Sequence, residues 1–262
     1  MTRYPSPANC SVSRMENGTG GRQGREDIYL SIVIPAFNEK SRLSNTVKAT
    51  LEWCSRSVPS YEIIIVDDGS SDDTLLIAKS FSGHFDRVVT LEQHHLGKGA
   101  AVKEGMLRAA GKHILFMDAD GATPMGEIRK LLGKMEEGYP VAIGSRVADN
   151  SMETTVITSF HRKIIGRTFA MLVNLLAVPG IKDSQCGFKM FRDDAAKNLF
   201  RRQKCNGFAF DVEILYLAGK MSLPVAEVPV HWTSQSGSKV SPFVDGFRML
   251  MDILKIRKVH KG

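Results

Sequence analysis

The sequence predicts an α/β fold, in which a mostly parallel sheet carries helices on both faces. Short unbroken apolar runs alternate along the chain with segments of helical periodicity, which is typical of parallel strands joined by helices. Several of these apolar runs end in acidic or glycine-rich clusters, and open α/β sheets bind ligands at the carboxyl ends of their strands. The chain has 262 residues, of which 43% are hydrophobic and 24% are charged. This composition is enough to bury a sizeable core.

Strands and helices alternate through the first half of the chain. An apolar run at 29–35 predicts the first strand, and Asn38 and Glu39 are predicted to open a helix that ends near Arg56. Further strands are predicted at 61–66, 87–91 and 113–118, and further helices at 74–81 and from Gly97 to about Ala110. Because parallel strands need crossover connections, this order predicts that the carboxyl ends of the four strands meet at one edge.

The second half is predicted to continue in the same manner. Helices are predicted at 124–138, 193–202 and 212–221, and strands at 141–146 and 225–232. Residues 147–158 are polar and are predicted to form a loop. Residues 160–178 are predicted to form a helix with an apolar stretch, which either packs in the core or lies in a membrane interface.

The two ends of the chain differ in their apolar content. Residues 1–27 hold few apolar residues, so burial cannot offset their ordering entropy, and we expect a disordered tail. We expect residues 28–262 to form a single domain. Its final segment, 241–262, has apolar residues at helical spacing and several basic residues, which predicts an amphipathic helix.

Charge and cysteine content limit the class of protein. The formal net charge of +7 favours anionic partners such as nucleotides, phospholipid headgroups or nucleic acid. Nucleic acid is the least favoured of these, because the basic residues are not interleaved with aromatic ones. The four cysteines are scattered without the spacing of a zinc site or a disulfide framework, which favours a reducing, cytoplasmic location. No apolar run is long enough to span a bilayer.

Two carboxylates, Asp118 and Asp120, follow the predicted strand at 113–118. Hard divalent cations bind one or two carboxylates together with phosphate oxygens. The pair therefore predicts a site for Mg²⁺ or Mn²⁺ that holds the phosphates of a nucleotide sugar. An aspartate-rich turn is the alternative for these two residues taken alone.

Other polar residues are candidates for the same site. Lys98 lies between two glycines, which permit close approach to a phosphate, although a solvated lysine on a turn has the same pattern. Asp68 either supports a binding loop or has a capping role. Asp211 lies between apolar flanks that can raise a carboxyl pKa, so it is either a general base or a helix cap. Trp232 either packs in the core or provides a platform for a sugar.

These motifs together resemble the family 2 inverting glycosyltransferases of the GT-A fold. The resemblance rests on residues 31–35 with Asn38-Glu39, residues 66–70, Gly97-Lys98-Gly99 and Asp118-Ala119-Asp120. Members of that family that act on lipid phosphates share four further pieces: Gly144-Ser145-Arg146, residues 183–189, residues 209–213 and Gly237-Ser238-Lys239. The resemblance runs from about Leu30 to Arg257 and implies a Rossmann-like GT-A sheet followed by an acceptor-side segment.

The resemblance implies a binding site for a nucleotide-sugar donor. In it, Asp67 accepts a hydrogen bond from the uracil ring and Asp120 binds the metal. Asp118 contacts the ribose or joins Asp120 as a metal ligand. The implied donor-binding set is Pro35, Ala36, Glu39, Asp67, Asp68, Lys98, Asp118, Ala119 and Asp120. Some mannosyl relatives carry Gln two residues after the second aspartate, whereas this chain has Ala122, which favours UDP-glucose over GDP-mannose.

The resemblance also implies an acceptor. Arg146, Arg162 and Lys239, with Gln185, match positions that bind the phosphate of a polyprenyl or dolichyl phosphate. Such a phosphate is already an anionic nucleophile, so it needs positioning more than a base. The implied catalytic residues are Asp120, Arg146 and, for a hydroxyl acceptor, Asp211. A soluble family 2 enzyme with a hydroxyl acceptor and a GDP-mannose-dependent lipid-phosphate mannosyltransferase remain alternatives.

The same resemblance divides the domain. It implies a nucleotide-sugar half at 28–146, an acceptor half at 147–240 and the amphipathic helix at 241–262. With that helix in the interface, we expect peripheral attachment to the cytoplasmic face of a membrane, the endoplasmic reticulum in a eukaryote.

Overall fold

The computed structural model describes residues 27–146, 178–233 and 255–260. The strands are β1 (Leu30–Ala36), β2 (Tyr61–Asp68), β3 (Val88–Gln93), β4 (His113–Met117), β5 (Val141–Ser145), β6 (Phe188–Arg192) and β7 (Val225–Pro229). The helices are α1 (Leu43–Ser57), α2 (Thr74–His84), α3 (Lys98–Arg108), α4 (Ile128–Glu136), α5 (Asp193–Arg202) and α6 (Phe210–Lys220).

The seven described strands form one sheet in the order β3-β2-β1-β4-β6-β5-β7. β1 pairs in parallel with both β2 and β4, β2 pairs in parallel with β3, and β5 pairs in parallel with β7. Of these strands only β6 is antiparallel to its neighbours, β4 and β5. The prediction of a mostly parallel α/β sheet is therefore confirmed.

Two hydrophobic cores lie on the two faces of this sheet. One core joins the sheet to α1, α2 and α4 through residues such as Leu43, Phe81 and Leu131. The other joins it to α3, α5 and α6 through residues such as Met106 and Phe200. Both faces of the central strands are covered, which explains why β1 and β4 consist of buried apolar runs without alternation.

The sheet topology produces a site at one edge. From β1 the chain continues to β2 on one side of β1, whereas β4 lies on the other side. The carboxyl ends of β1 and β4 therefore flank the point at which the strand order reverses, where open α/β sheets bind ligands. Ala36 at the end of β1 is in register with Asp67 of β2. Asp118 follows β4 directly, and Arg146 follows β5.

Several predicted boundaries were wrong. The first helix begins at Leu43 rather than at Asn38, because Asn38 has φ of 54° and Glu39 accepts turn hydrogen bonds from the amides of Arg42 and Leu43. The helix predicted at 124–138 is divided into a 3₁₀ turn, Met125–Glu127, and α4. Other ends differ by a few residues, and β6 was not predicted, since its hydrogen-bonding partners are distant in sequence.

Other predictions concern residues outside the described part of the chain. They are the tail at 1–26, the loop at 147–158, the helix at 160–177 and the turn at 237–239. Most of the predicted amphipathic helix lies outside it as well, although residues 255–259 are helical. Among the described residues, no helix combines the length and apolar character needed to cross a bilayer.

Candidate active site

Asp68 organises the loop that leads into α3. Its carboxylate accepts hydrogen bonds from the side chain of Gln93 (2.6 Å) and from the backbone amides of Leu96 (2.9 Å) and Gly97 (3.0 Å). Gly97 has φ of 107°, a conformation that L side chains rarely adopt, so glycine is required where this loop enters the helix. Asp68 therefore supports the loop before Lys98.

Asp67 lies next to Asp68 at the end of β2, and its two carboxylate oxygens differ in their surroundings. Its Oδ2 accepts a hydrogen bond from the backbone amide of Ser70 at 3.0 Å. Within the part of the chain that the structure describes, Oδ1 is buried without a hydrogen-bond partner. A buried, unpaired carboxylate oxygen is costly, so a donor from a ligand would be accommodated favourably here. The orphaned oxygen fits the predicted contact with a ring N–H of uracil.

Lys98 is directed at the first aspartate of the Asp118-Ala119-Asp120 motif. Its Nζ lies 2.5 Å from Asp118 Oδ1. Burial alone lowers the pKa of Lys98, but the carboxylates of Asp118 and Asp211 outweigh burial, and the net effect raises this pKa. Lys98 is therefore a stable cation beside the carboxylates, as an anionic ligand would require.

The backbone of Gly187, in the loop before β6, packs against Asp118. The Gly187 carbonyl accepts a hydrogen bond from the Asp118 amide at 3.1 Å. A Cβ added at Gly187 would lie only 2.5 Å from Asp118 Cγ. The absence of a side chain at position 187 therefore leaves room for the Asp118 carboxylate.

The other two residues of the motif are held by their backbone surroundings. The Ala119 carbonyl accepts a hydrogen bond from Thr46 Oγ1 at 2.8 Å. The half-buried Asp120 accepts one from the Ala122 amide through Oδ1, at 3.0 Å. These contacts fix the turn after β4 and leave Asp120 at the wall of the adjoining pocket.

Asp211 lies in the first turn of α6 and forms an ion pair with Lys189. Both side chains are buried, and Lys189 also donates to the Cys186 carbonyl at 2.6 Å. Burial raises the pKa of Asp211, and the charges of Lys189 and Lys98 oppose that effect only in part. The structure therefore places Asp211 beside Lys98, while its role as a base stays a prediction.

Arg146 is fixed by a carboxylate from a distant part of the chain. Its Nε and Nη2 donate to Asp183 at 2.7 and 2.9 Å, and its backbone amide donates to the same residue at 3.0 Å. Burial alone raises the pKa of Asp183, but the hydrogen bonds and charge of Arg146 hold it below its usual range. Glu227 of β7 in turn accepts from the Asp183 amide at 2.8 Å.

A single pocket brings Asp118 and Asp120 together with Arg146. The Arg146 guanidinium lies 5.5 Å from the ring centroid of Trp232. Trp232 is 40% exposed, so it is not a fully packed core residue. The pocket is lined by Met117, Asp118, Asp120, Ala122, Thr123, Arg146, Cys186, Gly187, Phe188 and Trp232.

The remaining predicted residues are distributed around this edge or lie outside it. Pro35 and Ala36 end β1, and Glu39 is bound to Arg42 through two hydrogen bonds of 2.6 and 2.7 Å. Gln185 lies in the loop before β6. Arg162 and Lys239 fall outside the described residues, so their predicted contact with an acceptor phosphate stays a prediction.

The carboxylate oxygens of Asp118 and Asp120 are suited to a hard divalent cation. Asp118 and Asp120 supply carboxylate oxygens at the wall of an open pocket, and Mg²⁺ or Mn²⁺ would complete its coordination with phosphate oxygens and water. Across residues 27–146, 178–233 and 255–260, no cluster of three or more His, Cys, Asp or Glu could enclose an ion by itself.

Three residues of the site were not predicted as functional. Gly187, Asp183 and Lys189 occur in the motif at 183–189, but nothing in their sequence indicates that they hold Asp118, Arg146 and Asp211 respectively. Trp232 was noted with two alternatives, and its place at the pocket wall could not be read from its neighbours. Burial raises the pKa of the Cys186 thiol to about 12, so this thiol at the pocket wall is not activated as a thiolate.

The fold and the site together define the class of protein: an α/β enzyme with paired carboxylates and a lysine at the edge of its sheet. The fold is similar to that of glucosyl-3-phosphoglycerate synthase from Mycobacterium tuberculosis, solved with Mn²⁺, uridine diphosphate and glucosyl-3-phosphoglycerate. The TM-score is 0.66 at 17% identity, over 91% of this chain and 86% of the other. A second structure of that synthase, with Mn²⁺ and UDP-glucose, gives 0.65 at 17% identity, over 88% and 79% of the two chains.

The chain belongs to glycosyl transferase family 2, whose pattern it matches over residues 31–200. It is 39% identical over 246 residues to dolichyl-phosphate β-glucosyltransferase of Dictyostelium discoideum, covering 88% of this chain and 75% of that protein. It is 37% identical over 243 residues to the human protein of the same name, covering 87% and 74%. The predicted family and GT-A-like fold are therefore confirmed.

Proposed function

We propose that this glycosyltransferase moves glucose from UDP-glucose to dolichyl phosphate, with inversion at the anomeric carbon. The proposal rests on one observation in particular: a single pocket is lined by the Asp118 and Asp120 carboxylates and by the Arg146 guanidinium. A carboxylate pair suits the donor diphosphate with its cation, and a guanidinium suits a second phosphate. The relatives named dolichyl-phosphate β-glucosyltransferase support glucose as the transferred sugar and dolichyl phosphate as the acceptor.

The donor would bind along the ends of β1, β2 and β4. The unpaired oxygen of Asp67 would accept the uracil N–H, and Lys98 would exchange its contact with Asp118 for a phosphate oxygen. Asp118 and Asp120 would hold Mg²⁺ or Mn²⁺ beside the diphosphate. When bound, the cation supplies charge neutralisation of the leaving diphosphate, which is worth several kcal/mol in comparable enzymes.

The acceptor would enter from the Arg146 side of the pocket. A phosphate oxygen of the lipid forms the new bond to the anomeric carbon, while the bond from that carbon to the UDP oxygen breaks and its electron pair leaves on UDP. Because the acceptor is already anionic, this reaction needs no general base, which fits the ion pair between Asp211 and Lys189. Trp232 and Asp183 hold the Arg146 guanidinium on this side.

A membrane would present this acceptor. Dolichyl phosphate is confined to a bilayer, and the basic net charge of +7 favours contact with anionic headgroups. The predicted amphipathic segments at 160–178 and 241–262 support peripheral attachment to the cytoplasmic face, in a eukaryote that of the endoplasmic reticulum.

Transfer of radiolabel tests the proposal. The full chain is incubated with labelled UDP-glucose, Mn²⁺ and vesicles that contain dolichyl phosphate, and the organic phase is then counted. We expect the label to enter the lipid, and not to enter it in vesicles that contain unphosphorylated dolichol. Unlabelled GDP-mannose should compete poorly with labelled UDP-glucose as donor. Label that stays in water-soluble products, or that enters dolichol equally well, would contradict the proposal.

A further inference from the structure

The C-terminal segment at 255–260 is docked on α6 by one buried pair of side chains. His260 Nε2 lies 2.6 Å from Glu213 Oε1, and the Glu213 side chain is fully enclosed. The His260 carbonyl accepts a hydrogen bond from Lys220 Nζ, and Ile256 of the same segment is buried. The segment is therefore attached through a polar contact to the carboxylate of an internal helix.

The same carboxylate holds the loop between α5 and α6. Its two oxygens accept hydrogen bonds from the backbone amides of Lys204, at 2.8 Å, and Cys205, at 2.7 Å. Glu213 therefore receives three donors, two from this loop and one from His260. Without His260, the Oε1 atom loses one partner in an enclosed position, and the geometry of the carboxylate is less tightly fixed.

The loop at 203–206 is packed against the first turn of α3, which carries Lys98. Gln203 Nε2 donates to the Gly99 carbonyl at 2.8 Å, and the Ala100 amide donates to the Asn206 carbonyl at 3.2 Å. A Cβ at Gly99 would lie 2.7 Å from the Cys205 carbonyl oxygen, and one at Gly97 would lie 2.6 Å from that of Asn206. The two glycines that flank Lys98 thus rest directly on this loop.

We infer that Glu213 and His260 are positioning residues for the donor site, through which the C-terminal segment fixes the loop at 203–206 and thereby places Lys98. Neither residue contacts the pocket beside Asp118. The inference rests on the proposed nucleotide-sugar donor. It adds that the affinity of the protein for this donor depends on the segment at 255–260. A displacement of about 1 Å at a positioned group can reduce rates about a hundredfold, so a partial loosening is expected to have a measurable effect.

The experiment compares three variants of the full chain at the tip of the segment. His260→Ala removes the donor to Glu213, and His260→Gln restores an N–H of similar reach. Val259→Ala is the matched control, because Val259 is 58% exposed and adjacent to His260. Affinity for UDP-glucose in Mn²⁺ is measured by calorimetry, with donor KM, acceptor KM and thermal stability determined in parallel.

We expect His260→Ala to weaken donor affinity and raise donor KM about tenfold, with acceptor KM unchanged. His260→Gln should recover most of this loss, and Val259→Ala should match the unsubstituted chain. Wild-type donor affinity in folded His260→Ala, or a loss that His260→Gln does not recover, would overturn the inference. Since calorimetry needs no acceptor, a failure to glucosylate dolichyl phosphate with the same affinity pattern would reject only the proposed acceptor.

Discussion

The proposed donor and acceptor sides of the pocket are built in different ways. On this donor side, Asp67 and Asp68 are the last residues of β2, and Asp118 directly follows β4. The position of these residues follows from the strand order. On the acceptor side, Arg146 also follows a strand, but its guanidinium is held by Asp183, 37 positions later in the chain. Asp183 is held in turn by Glu227 of β7.

The difference shows how much each side depends on long-range contacts. A carboxylate at the end of a parallel strand is placed by backbone pairing, so few other side chains are needed to orient it. An arginine has a long and flexible side chain, and its position is defined only when other groups hold the guanidinium. The carboxylates of the proposed donor side are therefore placed mainly by the sheet, whereas Arg146 depends on a relay of hydrogen bonds from β7.

The largest effect is expected from removing charge on the donor side. Asp120→Asn should reduce transfer about a thousandfold, because the cation then loses one of two carboxylate ligands while the diphosphate still needs neutralisation. Asparagine retains an oxygen that can accept from the Ala122 amide, as Asp120 Oδ1 does at 3.0 Å, so the turn should persist. The measurements are initial rates of transfer, a titration with Mn²⁺ and circular dichroism. Retained activity with unchanged Mn²⁺ dependence would remove the metal role from Asp120.

The carboxylates placed by the sheet were also the part of the site that the sequence could predict. Apolar runs that end in charged residues indicated β2 and β4, and the carboxylates at their ends were placed correctly because parallel strands end at one edge. The start of α1 was missed because Asn38 adopts φ of 54°, which depends on contacts such as that of its amide with Ser70 Oγ at 2.9 Å. Such tertiary contacts leave no periodic trace in the sequence.

One glycine connects the two proposed sides of the pocket, and its substitution tests whether they are independent. Gly187 belongs to the acceptor-side loop, yet a Cβ there would overlap the Asp118 carboxylate. Gly187→Ala should therefore turn Asp118 away and lower kcat/KM for UDP-glucose about a hundredfold. Gly133→Ala, in α4, is the control, since a Cβ there meets nothing within 4 Å.

Kinetics with varied Mn²⁺ and UDP-glucose distinguish the outcomes of this substitution. A higher Mn²⁺ requirement in Gly187→Ala, with wild-type behaviour in Gly133→Ala, would show that an acceptor-side residue sets the donor site. If Gly187→Ala changes only the acceptor KM, the two sides are independent.

The acceptor side was less predictable for a physical reason. Arg146 was identified as a candidate, but Asp183 and Lys189 were seen only as parts of a motif, because ion pairs between distant segments depend on which strands are neighbours. The insertion of antiparallel β6 between β4 and β5 decides this, since it brings Gly187 beside Asp118. A strand that pairs with two distant segments cannot be recognised from local sequence periodicity.

The smallest effect is expected in the relay that holds Arg146. Asp183→Asn should lower the free energy of unfolding at pH 7 by about 1–3 kcal/mol, a range reduced from that of fully buried pairs because Arg146 is 34% exposed. The folded-state pKa of Asp183 is lowered, so its contribution is fully present above the ordinary aspartate pKa and is lost as the pH falls toward the lowered value. Urea unfolding of both proteins between pH 7 and pH 3 measures this. The difference in unfolding free energy should stay constant down to about pH 5 and shrink below about pH 4. A difference that is independent of pH would mean that packing, rather than the charge of Asp183, holds Arg146 in place.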